Sequence, residues 1–252
     1  MAGKRVLRRD GSAKTDPVSR ILAPHGRLRA AINFGNAVLA RKDPQTGEPG
    51  GLSAAIARDI AGRLGLPLEF LPFDSAGAVS EAAGSDAWDI AFLAVDPLRA
   101  AQIAFTEPYV LIKGSYLVPA DSTFQRNEDL DRPGVRIAVG KNAAYDLYLS
   151  RTLSHATLVR APTTPGAVDL FREEGLEAAA GVRIPLLRYA KSNPDFRVLD
   201  GHFMVIRQAM GVPLAAEKSI PFLNGYLAGI RKSGFVRNEL EKSGQSDAEV
   251  AP

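Results

Sequence analysis

The 252 residues are 46% hydrophobic and 23% charged, with 23 Gly, 17 Pro and no Cys; this is globular composition, and it excludes disulfides, zinc–thiolate sites and thiol nucleophiles. Three widely spaced histidines (His25, His155, His202) leave room for one catalytic imidazole but not for a histidine-built metal site, and no cofactor is expected. The net charge of +3 belongs to a tail: residues 1–14 carry Lys4, Arg5, Arg8, Arg9 and Lys14 against Asp10, so the other 238 residues sum to −1 and offer nucleic acid no basic face.

Met1–Arg20 holds only scattered apolar residues such as Val6 and Leu7, without the apolar run of a secretory signal. No stretch of 18 apolar residues occurs to span a membrane. Residues 1–26 are expected to be a basic lead-in without fixed structure. Beyond them, short apolar runs alternate with amphipathic ones, the pattern of an α/β layer fold. Arg27–Phe34 predicts a strand ending in the small, polar loop Asn33-Phe34-Gly35-Asn36. Lys42–Gly51 predicts a turn. Leu52, Ile56, Ile60 and Leu64 recur every fourth residue and predict a helix, with Ser53 as its cap and Gly65 as its stop. Leu68–Phe73 predicts a strand, Gly77–Ala83 a short helix, and Asp89–Val95 a strand apolar on both faces, suited to a covered parallel sheet.

Asp96-Pro97 pairs a preferred N-cap with a preferred first helical residue, so a helix is expected over Leu98–Ile103, followed by a β-rich run Val110–Pro119. Asp121–Gly134 is polar and turn-rich. The alternation then restarts: strand Val135–Val139, helix Ala143–Thr152, strand Ala156–Arg160, helix Gly166–Glu174, strand Leu176–Ala180, helix Ile184–Ala190, strand Phe203–Gln208 and helix Leu214–Lys232. That restart predicts a second lobe. No two glycines are separated by a single residue, so the dinucleotide fingerprint is absent. Phosphate-loop, His-Glu-x-x-His and Gly-x-Ser-x-Gly motifs are absent too.

The run Trp88-Asp89-Ile90-Ala91-Phe92-Leu93-Ala94-Val95-Asp96-Pro97-Leu98-Arg99, followed by Ile103-Ala104-Phe105-Thr106-Glu107-Pro108-Tyr109, resembles the family 3 extracellular solute-binding proteins that feed polar amino acids to bacterial ABC importers. Gly50-Gly51-Leu52, Arg136–Lys141 and Lys232-Ser233-Gly234-Phe235 extend the resemblance over nearly the whole chain beyond the tail. It implies a two-lobe periplasmic-binding-protein-like fold of type II, each lobe a mostly parallel sheet flanked by helices. Lobe 1 would comprise residues 27–116 plus 204–252 and lobe 2 residues 117–203. It also implies a monomer that closes on a small solute, delivers it to the membrane subunits of an ABC importer and works in the periplasm. The missing signal leaves the cytoplasm open.

Arg99 stands third in a helix whose free N–H groups and dipole already favour an anion, and its guanidinium suits a bidentate grip on a carboxylate. By resemblance this position holds the ligand's α-carboxylate. Gly140-Lys141-Asn142-Ala143 would face the same ligand from the other lobe, with Lys141 and Asn142 as candidates. Phe34, Asn36, Phe73 and Tyr145 lie on segments that line the cleft in the family. The sequence also departs from the amino-acid binders. Ala91, Phe92 and Ala94 stand where hydroxyl residues are usual, Asn33 replaces one ammonium-binding carboxylate, and Val182-Arg183 falls where the other belongs. Arg99, Lys141 and Arg183 would then make a positive pocket with apolar walls, suited to a dicarboxylate or an aromatic acid rather than a zwitterion. An enzyme related to cyclohexadienyl or arogenate dehydratases, with Asp96 or Glu107 as acid, is the alternative, and a cytosolic solute sensor is another.

Overall fold

The computed structural model describes residues 17–245 and 248–252. The chain begins with α1 (Pro17–Leu22), β1 (Leu28–Asn33), a two-strand ribbon of β2 (Arg41–Lys42) and β3 (Pro49–Gly50), α2 (Leu52–Leu64), β4 (Leu68–Phe73), α3 (Ala76–Glu81), β5 (Ile90–Ala94) and α4 (Pro97–Ala100). A long strand, β6 (Ile103–Pro119), leads to β7 (Arg136–Gly140), α5 (Ala144–Thr152), β8 (Thr157–Ala161), α6 (Thr164–Glu173), β9 (Ala178–Val182), α7 (Arg183–Ser192) and β10 (Phe196–Val198). The chain returns through β11 (Met204–Pro213) to α8 (Ile220–Lys232), α9 (Phe235–Lys242) and β12 (Glu249–Val250).

The strands lie in the order β4-β1-β5-β11-β6-β9-β7-β8. Each wing of this array is parallel, β4-β1-β5 on one side and β9-β7-β8 on the other, as βαβ connections require. Between them β6 and β11 run antiparallel over Ile103–Gly114 and Met204–Pro213, and the far end of β6 pairs with β9 and β10. One strand therefore belongs to both wings, and the two wings together make the α/β two-lobe architecture. All five residues of β5 are buried, in keeping with a strand covered on both faces. Leu52, Ile56 and Ile60 of α2 sink into the same core as Leu28 and Ile32 of β1, and Trp88 anchors a second cluster with Ala31, Leu93 and Ile103.

Four local expectations are corrected. The lead-in carries α1, whose Leu22 is fully buried, so residues 17–22 are not part of an unstructured tail; residues 1–16 lie outside the described residues. Ser53 does not cap α2. The cap is Gly51 at φ 86°, where a Cβ would stand 2.7 Å from the Leu39 carbonyl oxygen, and Ser53 is buried in the first turn. The helix expected over Leu98–Ile103 stops at Ala100, because Ile103 joins the buried cluster around Trp88 and opens β6, pairing with Pro213 of β11. Leu214–Ser219 is a 3₁₀ turn, and α8 proper starts at Ile220 with Pro221 in its first turn.

Candidate functional site

In open α/β sheets the crevice beyond the carboxyl ends of parallel strands collects the loops that contact ligands. Here the loops after β1, β5 and β7 meet there and bring the two wings into contact. Asp96, extended at φ −149°, caps α4 by accepting from the Leu98 N–H at 2.9 Å, as the Asp-Pro signature predicts. That cap aims Arg99 inward. Arg99 is only 4% exposed. Its Nη1 donates to the Ala94 carbonyl at 3.0 Å and its Nη2 crosses to the Asn142 carbonyl at 2.9 Å, while Nε is buried without a partner. No carboxylate lies within ion-pair distance of Arg99 among the described residues. Burial pulls its pKa down to about 10, partly opposed by the nearby Asp96 charge, and the guanidinium remains protonated at neutral pH.

Asn142 is the opposing anchor. It sits in the left-handed region at φ 58°, its N–H donates to Asp146 Oδ2 at 2.8 Å, and its Nδ2 donates to Glu81 Oε1 at 3.1 Å on the other wing. Gly77 of α3 lies so close to it that a Cβ would come within 2.7 Å of the Asn142 Cβ. A further bridge joins Asp96 Oδ2 to Arg151 Nη2 at 2.7 Å. Arg99–Asn142, Glu81–Asn142 and Asp96–Arg151 thus latch the wings together.

Behind the latch lies a cavity of about 40 Å³ whose walls include Asn33, Asn36, Ala94, Arg99, Tyr145 and Gln208. None of the residues around it is acidic. Asn33 Oδ1 accepts from the Gly35 N–H at 3.0 Å and Asn36 Oδ1 from the Val38 N–H at 3.3 Å, so both side chains brace their own loop. Tyr145 is 2% exposed. Its hydroxyl sits beside Gly140 and Thr164 without a well-formed hydrogen bond to either, and burial pushes its pKa up to about 12, keeping the phenol neutral. Gln208 of β11 is equally buried, and its Oε1 has no partner among the described residues. A second cavity, of about 310 Å³, shares Gly35, Asn36, Thr164 and Val182 with the first and continues between Phe34, Val168, Leu186 and Tyr189.

The structure brings together Asn33, Asn36, Arg99, Asn142 and Tyr145, and sets Phe34 on the wall of the larger cavity. It does not assemble the expected cluster of three cations. Lys141 is exposed, and its backbone N–H donates to the Ala161 carbonyl. Arg183 turns to the hinge, where its Nη1 donates to the Leu199 and Gly201 carbonyls at 2.6 and 3.0 Å and to Ser115 Oγ at 3.3 Å. Those acceptors sit on the two crossings between the wings, which explains why the guanidinium leaves the cleft. Phe92, 3% exposed, and Phe73 are packing residues of the first wing. Sequence reasoning missed Gln208, Thr164 and Gly77, while Val182 stands at the position where the sequence departs from the amino-acid binders. Only Gln208 carried a signal, as the one amide within the largely apolar run Met204–Val212.

The sequence matches the family model of bacterial extracellular solute-binding proteins, family 3, over residues 38–242. No curated protein matches the chain. Among solved structures the fold is similar to a mutant of ArgBP from T. maritima, with 21% identity over 89% of this chain and 97% of that one and a TM-score of 0.75. It is also similar to the cysteine-binding protein from Campylobacter jejuni, with 19% identity, coverage of 90% and 92% and a TM-score of 0.76. A third similar structure is an ancestral amino acid-binding protein, a precursor of cyclohexadienyl dehydratase, with 21% identity, coverage of 89% and 98% and a TM-score of 0.74.

Proposed function

Because the chain belongs to family 3 of the bacterial extracellular solute-binding proteins, we propose that it captures a small carboxylate, one that carries no ammonium group, between two closing lobes. The lobes divide at the crossings of β6 and of residues 199–204, and the protein hands its ligand, as a monomer in the periplasm, to the membrane subunits of an ABC importer. One observation carries the choice of ligand: Arg99 is a buried cation without a carboxylate partner among the described residues, at a small cavity whose own lining holds no acid. A charge in that position is costly until an anion joins it. The lining of that small cavity gives an ammonium group nothing to pair with, since Asn33 and Val182 stand where countercharges would be needed. Closure is then a population shift, because contacts to both lobes exist only in the closed form.

The enzyme alternative loses its candidate acids. Asp96 is engaged by the Leu98 N–H and by Arg151, and Glu107 is 69% exposed beside Arg231. Neither borders the cleft cavities. A thermal-shift panel tests the proposal, with each carboxylate paired with its primary amide and with the corresponding α-amino acid. At least one carboxylate is expected to raise Tm while its amide and amino-acid counterparts do not. A panel in which an α-amino acid gives the largest shift overturns it.

A further inference from the structure

We infer that the ligand is a monocarboxylate with an apolar, aryl-sized tail, whose carboxylate meets Arg99 and whose tail fills the cavity between Phe34 and Tyr189; this rests on the function proposed above and names its substrate class. The cavity at Arg99 holds about 40 Å³, room for about three water molecules at roughly 10–15 Å³ each. A carboxylate head fits there in place of water, next to the unpartnered Arg99 Nε, and the remainder of any ligand must lie elsewhere.

Two larger spaces adjoin. One is an outward groove of about 400 Å³ that shares only Arg99 with the small cavity and is edged by Ser80, Glu81, Gln102 and Asn142. Leu98 and Leu147 also line it, but the Glu81 carboxylate on its edge repels the body of an anionic ligand. The other is the cavity of about 310 Å³, which shares four wall residues with the head site and is faced by Phe34, Val168, Val182, Pro185, Leu186 and Tyr189. An apolar cavity of roughly 150 Å³ is large enough to take benzene, so this one accommodates a ring together with the short linker back to Arg99. Asp169 is the single acid on its wall. Its charge opposes a second carboxylate on the ligand and so favours an aromatic acid over the dicarboxylate that the sequence left open.

The wall geometry also explains why this chain differs from a binder of small polar solutes. Val182 ends β9 at the junction of the two cavities, so an apolar side chain marks the point where the head gives way to the tail. Thr164, on the same junction, opens α6, and one turn later Val168 faces the larger cavity. Val168 is only partly buried, packed on one side against the core around Ala167 and Phe171, and a bulkier residue there reaches into the larger cavity.

The test is calorimetric titration of the whole protein with 3-phenylpropanoate, propionate and 3-phenylpropanamide, repeated on Val168→Phe. 3-Phenylpropanoate is expected to bind at least tenfold more tightly than propionate. Val168→Phe is expected to remove at least tenfold of that affinity and leave propionate unaffected. If the two acids bind within tenfold of each other, or if folded Val168→Phe keeps its affinity for 3-phenylpropanoate, the tail assignment is overturned while the carboxylate function stands. If the amide binds as tightly as 3-phenylpropanoate, the carboxylate function itself falls, and the tail assignment with it. The ligand series on the unmodified protein decides the matter even where the variant does not fold.

Discussion

Arg99→Met separates a binding residue from a structural one. Burial lowers the Arg99 pKa to about 10. At about 1.4 kcal/mol per pH unit, the charge costs the unliganded protein on the order of 3 kcal/mol. Methionine removes that cost and keeps most of the apolar volume, but it forfeits the bonds to the Ala94 and Asn142 carbonyls, each worth about 1 kcal/mol, more where the donor is charged. The two effects nearly cancel. Unliganded Tm is therefore expected to move by less than about 5 °C in a chain of this size. Ligand binding has no such compensation, because removing one partner of a buried charge pair costs about 2–5 kcal/mol. That corresponds to a loss of roughly 30-fold to several-thousand-fold in affinity. Scanning calorimetry without ligand and titration with 3-phenylpropanoate measure the two quantities on the same preparation. An undiminished Kd in the folded variant would refute the placement of Arg99 at the carboxylate, and a Tm fall well beyond 10 °C would show that it serves the fold instead.

Val182→Asp places an acid at the junction of the two cavities, and titration is expected to show L-phenylalanine gaining affinity while 3-phenylpropanoate loses at least tenfold; no change in either would remove Val182 from the ligand's surroundings. Gly77→Ala puts a Cβ 2.7 Å from the Asn142 Cβ, which pushes the latch apart; affinity is expected to fall at least tenfold with little change in Tm, and small-angle scattering should report a more open molecule. Affinity for a carboxylate is expected to stay level from pH 7 to 9 and to fall above about pH 10, since binding requires the charged Arg99 and is lost as that group deprotonates; a decline beginning near pH 7 would implicate another group. Asp131 accepts from the N–H groups of Ser154, His155 and Ala156, which hold its carboxylate below the usual range. Its contribution to stability is therefore present above the ordinary Asp pKa and lost as pH falls through the depressed one, so Asp131→Ala should lower Tm at pH 7 and much less at pH 3.

The sequence exposed the fold because its strongest patterns are local. The four-residue spacing of Leu52, Ile56, Ile60 and Leu64 marks α2, the fully apolar run at Ile90–Ala94 marks a covered strand, and Asp96-Pro97 marks a capped helix start. The errors fell where long-range packing decides. Ile103 is buried in the Trp88 cluster and pairs with Pro213 of β11, which ends α4 early, and nothing near it in sequence announces that distant strand. The site was half legible for the same reason. Arg99 and Asn142 stand on recognisable loops, but the fate of Arg183 depended on hinge carbonyls sixteen and eighteen residues away. Gly77 has no polar chemistry to draw attention, and it matters only through the Asn142 that stands opposite it once the wings meet.

The central claim is that this crevice accepts a carboxylate and rejects the same skeleton once it carries an ammonium group. Calorimetric titration with 3-phenylpropanoate and with L-phenylalanine, which differ by that one group, tests it most directly. The acid is expected to bind and the amino acid to produce no saturable heat; binding of L-phenylalanine with no response to 3-phenylpropanoate would contradict it.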